Sequence, residues 1–386
     1  MVGCRPFGHG PCKRVTAAEA GLKGKTMNKT YAGITVIMGA LLLTAACMRS
    51  TSVQRARDEG ASGEVFTYQN PNPQVPMRDA CILPDGGRYY VVGTSDPFWE
   101  SDPRPNPGVR LYSSDDLIDW EVEGLLIDAS ALPEDVWYKD RFWAPELHRI
   151  QGRYYLTFNS RNQSEEHRHH HACGVAVADA VTGPYTVLTH DEPLTPWPSN
   201  DLSLFEDEDG TVFAVFNNGW TRIHHIYVAE LDLEAMRLKE EPVKLISQEP
   251  GTWDGGGIEG AYIVKEDGIY YLFYSSWTRG YAVGYATATD IRGPWTKSGE
   301  NPLFGARREL GGVRYGENID DPDFPYWEIG HNAVFRGPDG RHWISCHSYL
   351  KGSTLPAMYI DPVEFKDGRI LFDGPTYTPQ QIRLDR

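Results

Sequence analysis

The sequence is short of positive charge. Its 386 residues hold 37 Lys and Arg against 53 Asp and Glu, a formal net charge of −16. Residues 1–46 carry six of the basic side chains against Glu19 alone, so the rest of the chain has a net charge of −21. A surface this acidic repels phosphate backbones and anionic lipid. Nucleic acid is therefore excluded as a partner.

Long apolar runs are missing too, apart from one near the N-terminus. Tyr31 to Ala46 is almost wholly apolar, but it is shorter than the ~20 residues of a membrane-spanning helix. Lys29 precedes the run and small residues end it, which is typical of a secretory signal peptide. We interpret residues 27–46 as a signal peptide that begins at Met27. Residues 1–26 are then an upstream segment that is not translated.

The end of this segment resembles a bacterial lipoprotein signal. Leu43-Thr44-Ala45-Ala46 leads into Cys47, which would become the lipidated first residue of the mature chain. Thr44 stands where that signal usually has Leu, so ordinary cleavage is the alternative. In both cases we expect an exported protein: periplasmic, anchored to the outer membrane, or extracellular. Residues 47–64 form a tether, and a lipid on Cys47 is the one predicted link to a membrane.

Cysteine is scarce in the remaining chain. Only Cys81, Cys173 and Cys346 follow, widely spaced and odd in number. None of the spacings is that of a metal-ligand motif, so we expect three buried thiols.

Short aromatic strands recur five times along the chain, 65, 58, 58 and 72 residues apart. A glycine-bearing turn usually precedes them, which is typical of a β-hairpin. A third strand follows in most copies, at 109–113, 173–178, 225–230 and 281–286. The five landmark strands are residues 89–94, 154–159, 212–217, 270–275 and 342–347.

Three or four strands in about 60 residues, five times over and with no long amphipathic helix, predict an all-β fold. The expected architecture is a five-bladed β-propeller that occupies residues 65–386 as one catalytic domain. The alternative is a two-sheet sandwich, whose strands need not repeat with this period.

One polar residue lies 8 to 11 residues before each landmark strand, in a small or apolar setting. Equivalent positions on the innermost strands of a propeller surround one axis, so we expect these side chains to converge on a single funnel. The alternative for each residue alone is an acid in a turn at a strand end. The five residues are Asp79, Glu146, Asp201, Glu259 and His331.

Converging carboxylates repel one another, so their pKa values should separate and leave one as a base and another as an acid. Glycoside hydrolysis uses such a pair. Aromatic side chains near these positions are suited to stacking on sugars, although packing between blades is the alternative for each. These aromatic residues are Phe98, Trp99, Trp143, Trp197, Trp220, Trp253 and Trp277.

Five motifs, taken in order, resemble the successive blade motifs of glycoside hydrolase family 43 over roughly residues 66–384. The resemblance implies an inverting glycosidase that acts on oligo- or polysaccharides containing arabinose, xylose or galactose. It also implies Asp79 as the general base, Asp201 as the residue that tunes pKa and orientation, and Glu259 as the general acid. The motifs are Arg78-Asp79, the segments 142–146 and 200–210, Ile258-Glu259-Gly260 and Gly330-His331-Asn332.

The resemblance extends to residues around the predicted acids. Glu146, Trp143 and Arg279 are predicted to bind substrate. His331 matches a position that faces a central cation or the sugar, and a hydrogen-bonded core histidine is the alternative. The chemistry then requires no cofactor. A structural cation, calcium or another, is predicted at the propeller centre.

Two alternatives for function stay open at this point. One is a related propeller glycosidase with a different sugar specificity. The other is a carbohydrate-binding propeller without catalysis, but a lectin has no need for both Asp79 and Glu259. The histidine-rich run 167–171 is interpreted as a solvated or substrate-facing loop. A metal cluster is the alternative, but adjacent histidines on a strand point to opposite faces, so at most alternate members converge.

Overall fold

Nearly all of the regular secondary structure in the computed structural model is β-strand, and its sheets form a five-bladed propeller. It describes residues 64–99, 101–164, 171–196, 198–219, 221–278, 280–305 and 324–384. The predicted signal peptide, Cys47 and nearly all of the predicted tether lie outside these residues. Across the described ranges, no helical segment has the length and apolar character of a membrane span.

Each blade is an antiparallel sheet whose strands follow one another along the chain. Blade one contains β2 (Arg78–Asp85), β3 (Arg88–Thr94), β4 (Gly108–Ser114) and β5 (Glu121–Asp128). Blade two contains β6 (Arg141–Ile150), β7 (Arg153–Arg161), β8 (Ala172–Ala178) and β9 (Thr186–Val187). Blade three contains β10 (Ser199–Glu206), β11 (Val212–Asn218), β12 (His225–Asp232), β13 (Arg237–Leu238) and β14 (Val243–Ser247).

Blade four contains β15 (Glu259–Glu266), β16 (Ile269–Ser276), β17 (Ala282–Ala288), β18 (Thr296–Lys297) and β19 (Phe304–Gly305). Blade five contains β20 (Tyr326–Arg336), β21 (His342–Leu350) and β22 (Ala357–Pro362). The elements outside the blades are β1 (Glu64–Tyr68), β23 (Glu364–Lys366), β24 (Arg369–Leu371), β25 (Gln380–Leu384) and a single 3₁₀ turn at Ala129–Ala131. The five landmark strands are the second strands of the five blades, as predicted.

Glycine-bearing turns join the first two strands of each blade. In blades one, two and four these loops have two residues, and both residues have a positive φ: Gly86 and Gly87, Gln151 and Gly152, Asp267 and Gly268. Two positive φ values define the type I′ turn, whose twist matches that of a hairpin. The predicted hairpin tips are therefore confirmed.

Every innermost strand contains a β-bulge at the same place. Two of its residues lie opposite one residue of the second strand, between the pairs 78/81, 143/146, 200/203, 259/262 and 330/333. The first bulge residue has a φ between 41° and 62° in all five blades, the left-handed region that is uncommon for residues other than glycine. These first bulge residues are Asp79, Ala144, Asp201, Gly260 and His331.

The segment before blade one closes the ring. Asn72 donates its backbone N–H to the Met358 carbonyl at 2.7 Å, and Met358 donates to the Val75 carbonyl at 3.1 Å. This segment therefore extends β22 of blade five immediately before the chain enters β2 of blade one. Strand β1 pairs with β25 nearby, and Tyr68 packs against Trp343 of blade five with ring centroids 5.1 Å apart.

Apolar side chains pack between blades, and the hydrophobic core consists of five clusters of this kind. Each cluster joins residues of neighbouring blades, including one that joins Val91 of blade one to Trp343 of blade five. The three thiols Cys81, Cys173 and Cys346 are buried and unpaired, as predicted.

Candidate active site

A cavity of about 710 Å³ is lined by the innermost strands of all five blades. The bulges position its polar groups, because a left-handed residue turns its side chain away from the regular alternation of the strand. Four predicted site residues line the cavity together with Trp143: Asp79, Asp201, Glu259 and His331.

The predicted equivalence of the five polar residues is wrong for two blades. Asp79, Asp201 and His331 occupy the first bulge position, but Ala144 and Gly260 occupy it in blades two and four. Glu259 comes one residue before that position and still faces the cavity. Glu146 comes two residues after it and is absent from the cavity lining. The bulge adds a residue to the strand, so a count along the sequence does not determine which side chain faces the axis.

Glu146 lies in a buried environment of its own. Its side chain is only 6% exposed, and its Oε2 lies 3.1 Å from Nε2 of His148. This placement separates Glu146 from the cavity that contains the other three acids. Its predicted contact with substrate therefore finds no support in the geometry.

Asp79 is surrounded by partners from blades one and five. Thr94 donates its hydroxyl to Oδ2 at 2.6 Å, while Oδ1 lies 3.3 Å from Nδ1 of His331 and 3.2 Å from Nδ1 of His347. Burial acts to raise the pKa of Asp79, but His331, His347 and Arg78 hold this pKa well below its usual range. Asp79 is therefore ionised at neutral pH, as a base must be.

Asp201 is clamped by an amide and a backbone group. Asn159 donates Nδ2 to Oδ1 at 2.6 Å and accepts the Asp201 backbone N–H at 2.7 Å. Oδ2 accepts the backbone N–H of Gly260 at 2.9 Å, which fixes the chain directly after Glu259. Burial and the charge of Asp79 raise the pKa of Asp201.

Glu259 is the third acid of the cavity. Burial and the neighbouring carboxylate of Asp201 raise its pKa to about 7, against the opposing effects of His331, Tyr281 and Arg78. Tyr281 donates its hydroxyl to Oε1 of Glu259. Glu259 is therefore largely protonated just below neutral pH, whereas Asp79 is ionised.

The residue after Glu259 is a glycine for a steric reason. Gly260 has a φ of +62°, and a Cβ at this position would lie 3.2 Å from the His331 ring. Glycine avoids both the conformational penalty and this tight contact. The bulge of blade four thus leaves room for His331 while Glu259 supplies the functional side chain.

His331 lies among the three acids of the cavity. Burial opposes its protonation, but Asp79, Asp201 and Glu259 together raise its pKa. Its backbone N–H donates to Oγ of Ser275 at 3.0 Å, and its Nδ1 lies 3.2 Å from the Tyr281 hydroxyl.

The predicted central cation has a candidate donor set. Ligand atoms of Asp201, Glu259 and His331 all lie within 4.8 Å of one another. However, both Asp201 oxygens and one Glu259 oxygen already accept hydrogen bonds. The residues fit a direct metal site poorly, so a structural cation stays a prediction.

Aromatic residues form much of the cavity wall, as expected for a sugar site. Phe98, Trp99, Trp143 and Trp277 line it, and the Trp143 ring also contacts His171 with centroids 4.5 Å apart. Trp253 instead packs against Tyr274 in the core between blades three and four. Arg279, Trp197, Trp220 and His167 to His170 lie outside the described residues, so their predicted roles stay predictions.

Sequence reasoning missed several cavity residues. Tyr281 was predicted to begin the third strand of blade four, but β17 begins at Ala282 and Tyr281 has a φ of 90°. Arg78 stacks on Trp99 at 4.4 Å, and its Nη2 lies 3.4 Å from Glu328 Oε1. One available signal was overlooked: all five landmark strands end in a polar residue.

Comparisons with known proteins agree with this geometry. The model of Glycosyl hydrolases family 43 matches residues 68–370. The β-D-galactofuranosidase of Aspergillus niger is 27% identical over 314 residues, 76% of this chain and 78% of the relative. The extracellular endo-α-(1→5)-L-arabinanase of Thermotoga petrophila is 26% identical over 333 residues, 72% of this chain and 65% of the relative. The chain thus spans just under two thirds of that arabinanase.

Solved structures share the fold. A thermostable family-43 glycoside hydrolase is 27% identical, with a TM-score of 0.67, and the match covers 83% of this chain and 99% of the other. The endo-arabinase of Bacteroides thetaiotaomicron is 26% identical, with a TM-score of 0.60 and coverage of 78% and 99%.

Proposed function

Because the chain belongs to glycoside hydrolase family 43, we propose that it hydrolyses glycosidic bonds with inversion, using Asp79 as general base and Glu259 as general acid. The observation that carries this assignment is that two acids line one cavity and their surroundings shift their pKa values in opposite directions. The Asp79 pKa lies well below its usual range, and the Glu259 pKa is raised to about 7. Titratable groups whose pKa values are pushed apart mark the base and the acid of such sites.

The two acids act on opposite faces of the sugar. Glu259 protonates the glycosidic oxygen as its bond to the anomeric carbon breaks. Asp79 takes a proton from the water that attacks this carbon from the other face. The new bond forms opposite the broken one, so the anomeric configuration inverts.

Asp201 adjusts the acid in this proposal. Its charge raises the pKa of Glu259, and its Oδ2 holds the backbone N–H of Gly260. The clamp from Asn159 keeps Asp201 in place for both effects. Asp201 therefore acts through Glu259.

Substrates containing arabinose, xylose or galactose are the best candidates. The relatives include enzymes named for galactofuranoside and arabinan hydrolysis, and a xylosidase/arabinosidase of Bacteroides ovatus that is 24% identical over 262 residues. The aromatic wall of the cavity is suited to sugar faces. Activity on nitrophenyl arabinofuranosides, xylosides and galactofuranosides, with a polysaccharide panel beside them, identifies the sugar.

The experiment that tests the roles replaces each acid by its amide on the substrate so identified. Asp79→Asn should abolish turnover of every substrate in the panel, because no carboxylate remains to activate water. Asp207→Asn is a matched control, since Asp207 pairs with Lys265 outside the cavity. Retained activity in Asp79→Asn would contradict the assignment of the base.

We propose that the protein is exported and that Cys47 carries a lipid anchor. The signal-like segment 27–46 supports export, as does the relative named as extracellular. Mass spectrometry of the native protein should detect a diacylglyceryl group on Cys47. A mature chain that starts beyond residue 47 without lipid would exclude the anchor and leave export intact.

A further inference from the structure

The second strand of each blade contains a polar residue at the same register position, in its C-terminal half. Each lies opposite the residue that precedes the bulge of its own blade. A bulge takes one residue out of the regular ladder, so its backbone N–H needs another acceptor. The five residues are Thr94, Asn159, Asn217, Ser275 and His347.

Four of these side chains accept the backbone N–H of the first bulge residue in the following blade. Thr94 accepts from Ala144 at 2.8 Å, Asn159 from Asp201 at 2.7 Å, Ser275 from His331 at 3.0 Å and His347 from Asp79 at 3.2 Å. Between blades three and four, the carboxylate of Asp201 takes this role for Gly260. The bulges around the cavity are thus held by the neighbouring blade.

His347 completes this ring at the seam where the propeller closes. It belongs to blade five, the last blade, whereas Asp79 belongs to the first. The His347 side chain is fully buried. Its Nδ1 lies 3.2 Å from both the backbone N and Oδ1 of Asp79, and its Nε2 faces Oε1 of Glu328 at 3.4 Å.

The surroundings of His347 fix the direction of its ring. Tyr281 packs against it with centroids 5.0 Å apart. Glu328 also lies 3.4 Å from Arg78, the residue before Asp79. His347 therefore contacts the backbone and the carboxylate of Asp79, and it is connected through Glu328 to the preceding residue.

We propose that His347 is a positioning residue for the general base: it accepts the Asp79 backbone N–H from across the closure seam and so fixes the orientation of the Asp79 carboxylate. The proposal rests on the assignment of Asp79 as base. His347 is absent from the cavity lining and acts through Asp79. Its loss should therefore lower kcat while KM stays nearly constant.

Ser345 provides a matched control on the same strand and the same seam. It donates Oγ to the Ala80 carbonyl at 2.8 Å and accepts the Ile82 backbone N–H at 3.3 Å. It contacts no carboxylate of the cavity. Ser345→Ala thus removes seam hydrogen bonds beside Asp79 without touching its side chain, and it should lower Tm by a few degrees with kcat nearly unchanged.

The test compares three replacements of His347 with this control, using kcat, KM and Tm on an active glycoside. His347→Ala should lower kcat by about 10- to 100-fold, since a displacement of order 1 Å costs about that much. His347→Asn places an acceptor where Nδ1 was and should recover most of kcat. His347→Gln carries the same amide one bond further from the backbone, so it should not recover kcat.

The outcomes separate this inference from the proposed function. If Asn and Gln behave alike, or if His347→Ala changes only Tm as Ser345→Ala does, His347 is a structural residue and the inference is wrong. Should the Ala variant not fold, the comparison of Asn with Gln decides. Activity retained by Asp79→Asn would instead overturn the proposed function, whatever the His347 variants do.

Discussion

Replacing Glu259 by glutamine tests the proposed acid most directly. The amide keeps the size of the side chain and its contact with Tyr281 but has no proton to transfer. With the pKa of Glu259 at about 7, roughly 90% of the side chain is protonated at pH 6, against about 3% at the ordinary value of 4.5. The environment of Glu259 thus increases the population of the acid about 30-fold at this pH.

The cost of the replacement depends on the leaving group. A general acid contributes about 10²–10⁴-fold, so Glu259→Gln should slow a natural glycoside by that factor. An aryl glycoside with an acidic phenol needs little protonation and should lose less than about tenfold. Rates measured for a series of phenols of rising pKa should therefore fall more steeply in the variant than in the wild type.

The pH profile provides a second readout of the same substitution. The active form of Glu259 is protonated, so kcat/KM of the wild type should fall as pH rises through about 7. Glu259→Gln cannot titrate and should lose this alkaline limb. An effect below tenfold on the natural substrate, or one that is equal for all leaving groups, would refute the assignment of Glu259 as acid.

Three further predictions concern the same cavity. NMR of the first-formed product should show the anomeric configuration opposite to that of the substrate, and a product of unchanged configuration would contradict inversion. Tyr281→Phe removes a hydrogen bond that favours ionised Glu259, so the pKa of Glu259 should rise. The alkaline limb of the kcat/KM profile should then move to higher pH, and a downward shift would be inconsistent with this contact. Chelation with EDTA should leave kcat unchanged and lower Tm only if a structural cation is bound, whereas a loss of kcat that calcium restores would assign the cation a part in the reaction.

The repeat could be predicted from the sequence because each blade forms from strands that are adjacent in the chain. A landmark strand such as 270–275 pairs with strands adjacent in the chain, so its aromatic residues and the Asp267-Gly268 turn carry enough information. Two-residue turns with a positive φ at both positions have a restricted composition. Blade number and hairpin positions could thus be predicted without any knowledge of tertiary structure.

The site could be predicted from the sequence only in part, because a bulge changes which side chains of a strand face the cavity. Asp79 and Asp201 were found by counting back from the landmark strands, and both occupy the first bulge position. The same count selected Glu146, which lies two residues beyond that position and outside the cavity lining. The same count also found Glu259, which the structure places one residue before the first bulge position.

Residues that act between blades could not be predicted from the sequence, for a different reason. His347 and Asp79 are 268 positions apart in the sequence and meet only when the ring closes. Nothing local distinguishes His347 from other polar residues at strand ends. Its role emerges from the repeated register, in which a polar residue of the second strand holds the bulge of the next blade at four of the five junctions.

The same register explains why activity and ring closure should be linked in this fold. A left-handed bulge residue is strained, and it persists when its surroundings hold it. The bulge at Asp79 is held by His347 of blade five, and Asn72 of the closing segment pairs with Met358 of that blade. We therefore expect a change that loosens the seam to displace Asp79 before it disrupts the other blades. The acid Glu259 is held within blades three to five and does not depend on the seam in this way.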